Sequence, residues 1–300
     1  MRARVVAFAG VLLAAGCGSG SSTQSTGVSG TLQALARAPG LKTVALTPGD
    51  GDFSPGQVRF SFLVVANDGR PVEKPQAVVW IARGFKKKPY GRATARLETI
   101  GVPGASDALD VPSIYVAHLR APSPGTYWVL ARPQGAAIAG LGNLVVRRRS
   151  YSPAVGARAP DAATPTLAST HENLRALTTS THPDRALYAR SVAQELAAHR
   201  PFVVAFATPK FCTSRTCGPV VGVVSHVRKQ LSRSGVGFIH VEVYEHNDPS
   251  RGYNRWLRKW RLQSEPWVFL VGRDGRIKAK FEGSVSASEL RAAVESLLVA

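Results

Sequence analysis

The chain has 300 residues, with 38 Lys or Arg against 19 Asp or Glu for a formal charge of +19 at pH 7, 44% hydrophobic residues and three cysteines. This length and apolar content exclude a disordered chain and a small disulfide-stapled scaffold, and leave room for two cores. The basic excess is scattered over Lys86-Lys87-Lys88, Arg147-Arg148-Arg149 and Arg255 to Arg261, so it reads as solvated surface before it reads as a patch for anionic lipid or cell-wall polymer.

The first residues are Met1-Arg2-Ala3-Arg4, followed by an apolar stretch from Val5 to Ala15 and then Gly16-Cys17. A membrane span needs roughly 20 apolar residues, so this shorter run with a basic start and a small-residue exit reads as a secretory signal. Ala14-Ala15-Gly16-Cys17 resembles the lipobox of bacterial lipoproteins, with Ala14 where leucine is usual. That resemblance implies removal of residues 1–16, lipidation of Cys17, and a lipid anchor holding the protein on the extracytoplasmic face of the cell membrane. An exported lipoprotein meets no nucleic acid, so no such partner is expected. Residues 17–40 begin with a run of Gly, Ser and Thr and read as a flexible tether.

From residue 41 to 148 the chain is a series of short alternating or β-branched runs: Val58 to Val65, Ala77 to Ile81, Ala93 to Leu97, Ile114 to Leu119, Tyr127 to Leu130 and Leu144 to Val146. Turn residues separate them, with Asn67-Asp68-Gly69 the clearest hairpin signal. The pattern predicts an all-β immunoglobulin-like sandwich without an internal disulfide. Residues 149–165, rich in Arg, Pro, Ala and Gly, read as a linker.

Residues 166–300 change period. A helix is predicted over Asp184 to His199, a doubly covered strand over Phe202 to Ala207, a helix over Gly218 to Ser232 and a strand over Val236 to Tyr244. A short basic helix follows over Tyr253 to Trp260. Trp267 to Val271 and Ile277 to Phe281 then pair about Arg273-Asp274-Gly275, and Ser286 with Glu289 makes a capping box for the last helix.

Two cysteines lie in Phe211-Cys212-Thr213-Ser214-Arg215-Thr216-Cys217-Gly218-Pro219, between the first strand and the second helix. A thiol pair in a turn that opens a helix forms a reactive dithiol, because unpaired backbone N–H groups there stabilise a thiolate. The element order, Phe211-Cys212 after an apolar strand, Cys217-Gly218-Pro219 opening a helix, and Glu265-Pro266 before the last hairpin resemble the thioredoxin superfamily, in particular its TlpA-like branch. Val155-Gly156 with Ala159-Pro160-Asp161 is similar to that branch's entry segment. The resemblance implies an α/β thioredoxin-like fold, a redox-active pair Cys212 and Cys217, and a cis-proline at Pro266 facing them.

This chain departs from the family in having four residues between the cysteines where two are usual. Two registers stay open: Cys212 attacks and Cys217 resolves, or Cys217, at the helix start, holds the stabilised thiolate and Cys212 resolves. The apolar run Val203 to Phe206 lacks the buried acid of the family, and Glu242, sharing a strand face with His240, is the candidate proton acceptor.

The leading expectation is a membrane-tethered thiol–disulfide oxidoreductase, monomeric and without a cofactor beyond its own disulfide, acting on exported proteins or exchanging electrons with a membrane redox partner. One alternative is a non-enzymatic envelope interaction protein in which Cys212–Cys217 is a structural staple. Another is a copper-handling protein in which Cys212 and Cys217, with His240, hold Cu(I), a soft ion suited to thiolates.

Overall fold

Seven strands between Lys42 and Val146 alternate buried and exposed residues, and they close on themselves. In the computed structural model, which describes residues 30–102 and 111–299, they are β1 (Lys42–Pro48), β2 (Gly56–Val65), β3 (Gln76–Ala82), β4 (Gly91–Thr99), β5 (Ser113–Ala121), β6 (Gly125–Pro133) and β7 (Ile138–Val146). Their order is β1-β2-β5-β4-β3-β6-β7, and β1 closes the barrel by pairing antiparallel with β2 and parallel with β7. Inward residues such as Phe60, Phe62, Val79, Ile81, Tyr115 and Tyr127 fill its interior. Cys17 and the preceding leader lie outside the described residues. Within the segment expected as tether, Leu32–Ala36 form a short helix, α1, capped by Thr31 and packed through Leu32 and Ala36 on Ala82, Leu130 and Ala139.

The predicted sandwich is therefore corrected to a closed barrel. The physical reason lies in β7, which was expected only from Leu144 and begins at Ile138. Its Gly140 and Gly142 let β1 come close, since a Cβ at Gly142 would stand 2.8 Å from the Leu46 carbonyl oxygen and one at Gly140 would stand 2.8 Å from Val64 Cγ2. With both edges of β1 paired, no open edge remains to make two separate sheets.

The second half is a four-stranded sheet of β8 (Phe202–Phe206), β9 (Gly237–Val241), β10 (Trp267–Val271) and β11 (Ile277–Glu282), in the order β11-β10-β8-β9. Only β8 and β9 run parallel; the other neighbours are antiparallel. The described helices are few and mostly short: α2 (Val192–Ala197), α3 (Cys217–Gln230), α4 (Arg255–Lys259) and α5 (Ala287–Leu298). The expected immunoglobulin-like sandwich followed by an α/β thioredoxin-like fold thus gives way to a barrel joined to a small mixed sheet. The helix predicted from Asp184 to His199 is broken for a local reason. A 3-10 turn spans Arg185–Tyr188, and Ser191 takes an extended conformation to form a capping box with Gln194 that starts α2 afresh.

Helices α3 and α5 cover one face of the sheet, where Val220, Val224, Leu290 and Val294 meet Val203 and Val268. The other face carries Phe206, Val241, Trp260, Trp267 and Phe269. The segment expected as a linker joins the packing, with Ser152, Ala159 and Thr164 buried. No helix among the described residues is long and apolar enough to cross a membrane.

The barrel and the sheet are clasped by polar groups. Arg59 on β2 donates from Nε to Glu289 Oε1 (2.8 Å) and from Nη2 to Glu289 Oε2 (3.0 Å) and the Ser284 carbonyl (2.8 Å). Lys280 on β11 donates to Ser150 Oγ (2.6 Å), Ser152 Oγ (2.7 Å) and Asp52 Oδ2 (3.3 Å). At Gly283 the chain passes so close that a Cβ would collide with the Gly49 carbonyl.

Candidate active site

Strand β8 is buried at every position, as five consecutive apolar residues covered on both faces require. It delivers the chain through Ala207 and Thr208 to the turn that carries Cys212. Arg215 in that turn has a left-handed backbone, φ 57°, and its N–H donates to the Cys212 carbonyl at 3.2 Å. The turn brings the chain round so that α3 starts at Cys217, and the two cysteines form a disulfide with Cα atoms 5.9 Å apart.

The sulfurs are not equivalent. Cys217 is fully buried among Val220, Val224 and the other residues under α3, whereas Cys212 is only partly buried. The Cys217 N–H, one of the unpaired donors at the helix start, donates to Cys212 Sγ at 3.3 Å. Ser214 Oγ stands 3.2 Å from the same sulfur, and Thr216 Oγ1 lies 2.8 Å from Ser214 Oγ. The helix-end field is therefore delivered to the accessible Cys212 sulfur, although Cys217 occupies the helix position.

Across from the disulfide, the Glu265–Pro266 peptide is cis and Pro266 is buried just ahead of β10. One Glu265 carboxylate oxygen and the two sulfurs lie within 4.8 Å of one another. Glu265 Oε1 accepts from the Tyr244 hydroxyl at a long 3.4 Å, and the buried Oε2 has no hydrogen-bond partner. Burial pushes the Glu265 carboxyl up to about 7, the negative charge of Glu242 adds to the rise, and the Tyr244 hydroxyl opposes it.

Glu242 sits elsewhere in the network. It is buried, and its Oε1 accepts from the Thr179 N–H (2.6 Å) and hydroxyl (2.8 Å), an arrangement that pins the 179 segment. His240 is buried with both ring nitrogens engaged: the Tyr188 hydroxyl donates to Nδ1 (2.7 Å), and Nε2 donates to the Ala207 carbonyl (3.0 Å). Burial holds its pKa below the usual histidine range. No lone pair of His240 is left for an ion, so the Cu(I) set of Cys212, Cys217 and His240 is not assembled.

Of Cys212, Cys217 and Pro266, the structure joins the two cysteines in a disulfide and places the carboxylate of Glu265, the residue before Pro266, within 4.8 Å of both sulfurs. Sequence reasoning missed Glu265. The signal was available in the carboxylate directly before Pro266 and the wholly apolar Trp267 to Val271, a place where a charged side chain is left at the mouth of a buried strand. Among the aromatics near the site's elements, Trp260 and Trp267 are buried in the core, while Phe211 and Trp256 are partly exposed. A groove of about 1110 Å³ runs beside the start of α3, lined in part by Val102, Pro209, Lys210, Pro219 and Val221.

No family model and no curated protein sequence matches the chain. Among solved structures it is similar to a thiol:disulfide interchange protein of the thioredoxin family from Chlorobium tepidum TLS, at 15% identity and a TM-score of 0.31, over 46% of this chain and 99% of that one. It is also similar to a Chlorobium tepidum thiol:disulfide interchange protein assigned as DsbE, at 14% identity and a TM-score of 0.33, over 49% of this chain and 99% of that one. Likenesses of this size decide neither fold nor function.

Proposed function

We propose that the chain is a membrane-tethered, extracytoplasmic thiol–disulfide oxidoreductase whose working pair is Cys212 and Cys217. The observation that carries this reading is the asymmetry of the pair: a partly exposed Cys212 sulfur receiving a helix-start N–H, joined to a fully buried Cys217. In the reduced protein the Cys212 thiolate attacks a partner's disulfide, and the mixed disulfide is resolved by Cys217 from beneath. Partial exposure of Cys212 permits the first attack, and burial of Cys217 confines it to the second. Pro266 closes the far side of the site. The partners are exported proteins or a membrane redox protein, and the Cys17 anchor keeps the reaction at the membrane surface.

The test is the reduction potential of the Cys212–Cys217 pair, read by thiol alkylation across glutathione and dithiothreitol series. A value between roughly −120 and −270 mV belongs to exchange catalysts, and one below about −300 mV belongs to a disulfide that partners rarely open. Burial of Cys217 in the core under α3 also favours a staple, which is the reading the second result would leave standing. Release of the protein from the membrane fraction on Cys17→Ala tests the anchor.

A further inference from the structure

Resolution of a mixed disulfide requires that the second thiol lose its proton, and Cys217 is buried where water cannot take it freely. The strand that delivers the dithiol, Phe202–Phe206, contains no titratable side chain. Glu242, which shares the neighbouring strand's direction, already accepts two hydrogen bonds from Thr179 through Oε1. Glu242 Oε2, like Glu265 Oε2, is buried without a partner, and what sets Glu265 apart is its distance to the sulfurs. Its carboxylate reaches within 4.8 Å of both. Catalytic hydrogen bonds are often long in the resting state and close during the reaction or through one water.

We propose that Glu265 is the general acid–base group of the dithiol, taking the Cys217 proton during resolution and returning it to the departing thiolate. This assignment rests on the exchange chemistry proposed above. The Cys212 thiolate attacks a partner disulfide; the Cys212–partner bond forms, the partner's S–S bond breaks, and its first sulfur leaves as a thiolate protonated by solvent. Cys217 then gives its proton to the Glu265 carboxylate, its sulfur attacks Cys212 Sγ, and the second partner sulfur leaves with the proton that Glu265 held. The partner disulfide gains two electrons and the Cys212–Cys217 pair loses two.

The groups that face the carboxyl are the two thiols, Glu242 just after β9, and the stacked pair Tyr244 and Tyr253, whose ring centroids are 5.6 Å apart. Burial and Glu242 both favour the protonated form of Glu265, which sets its titration near 7. A group titrating there can both accept and donate at neutral pH, the condition for efficient proton transfer.

The experiment follows the full chain, reduced and mixed with oxidised glutathione, by quenched alkylation between pH 5.5 and 9. Mixed-disulfide formation and ring closure are scored separately. Wild-type closure should rise through an inflection near pH 7. Glu265→Gln should slow closure at pH 7 by roughly 10²-fold, the scale of general acid–base catalysis, and lose that inflection, while mixed-disulfide formation changes less than about threefold. Glu265→Asp, one methylene shorter, should keep the inflection at an intermediate rate, and it stands in if the Gln variant does not fold. Closure in Glu265→Gln with an unchanged rate and inflection overturns the assignment, as does an inflection removed by Glu242→Gln in its place. A wild-type dithiol that forms no mixed disulfide overturns the exchange reading itself, and this assignment with it.

Discussion

Replacing Arg59 with Met should loosen the grip between barrel and sheet by a predictable amount. The guanidinium sits on β2 of the barrel and makes a bidentate pair with Glu289 on α5, plus a bond to the Ser284 carbonyl and a 3.5 Å contact with Asp50. Its side chain is 11% exposed and that of Glu289 is 15% exposed, so the pair lies well outside the surface regime in which ion pairs contribute 0–1 kcal/mol. Met keeps most of the stem and removes the guanidinium, together with its hydrogen bonds and its place over the Phe281 ring, 5.5 Å from the centroid. Breaking a buried pair from one side costs about 3–5 kcal/mol, because the remaining carboxylate is left without a counter-ion. Water can reach Glu289 in part, so the lower end applies, about 3 kcal/mol. With an m-value near 3 kcal/mol/M that is a fall of roughly 1 M in the urea midpoint. Adding Glu289→Gln to Arg59→Met removes the stranded charge while keeping a side chain that caps α5, and should recover about half of the loss. A single-variant cost below about 1 kcal/mol, or a double variant as unstable as the sum of the two singles, would refute the view that this pair clasps the two halves.

Other consequences can be checked in the same material. Cys212→Ser and Cys217→Ser should each abolish turnover of a disulfide substrate, and only Cys217→Ser should trap the partner on Cys212; trapping on Cys217 would reverse the assigned roles. Burial raises the Asp50 carboxyl to about 7 against the opposing charge of Arg59. The folded protein thus holds a proton that the unfolded chain releases above about 4, so this group makes stability fall as pH rises from 4 to 7. Asp50→Asn should flatten that slope in urea titrations, and an unchanged slope would refute the assignment. Gly283→Ala should lower the melting temperature by several degrees, since it strains a backbone at φ 70° and pushes its Cβ into the Gly49 carbonyl; a neutral result would mean that the two halves separate easily at that point.

What could be read from the sequence was local chemistry. The turn at Arg273-Asp274-Gly275 is present because Asp274 Oδ1 accepts from the Arg276 N–H and Gly275 takes φ 69°, and all of that information lies within four residues. The Ser286 and Glu289 capping box is present with both of its hydrogen bonds for the same reason. The barrel was missed because its closure is a parallel pairing of the first and last strands, and only the close approach over Gly140 and Gly142 decides between a closed and an open arrangement. In the site, both cysteines were legible from their turn. Which sulfur is accessible was not, because it depends on how far α3 sinks into the core, and Glu265 reaches the dithiol only through the fold of the sheet.

One carboxylate links a barrel turn to the segment beside the dithiol. Glu282, the last residue of β11, accepts the backbone N–H groups of Gly51 and Asp52 on Oε2, both at 2.7 Å, so a barrel turn holds it from one side. Its Oε1 accepts from the Tyr151 hydroxyl (2.8 Å) and the Ser264 hydroxyl (2.6 Å), and Trp267 Nε1 donates to that same Ser264 oxygen at 3.0 Å. Ser264 immediately precedes Glu265, and Trp267 follows Pro266. The segment that faces the sulfurs is therefore anchored at Ser264 on a side chain whose other oxygen belongs to the barrel, and its far end, at Trp267, is tied back to that same serine. An acid that must meet a buried thiol at hydrogen-bond range gains from such support, since charge-assisted bonds to a carboxylate fix position more firmly than neutral ones. On the proposed role of Glu265, the barrel turn at Gly51 and Asp52 would support the chemistry by holding the segment that carries the acid, without itself reaching the sulfurs.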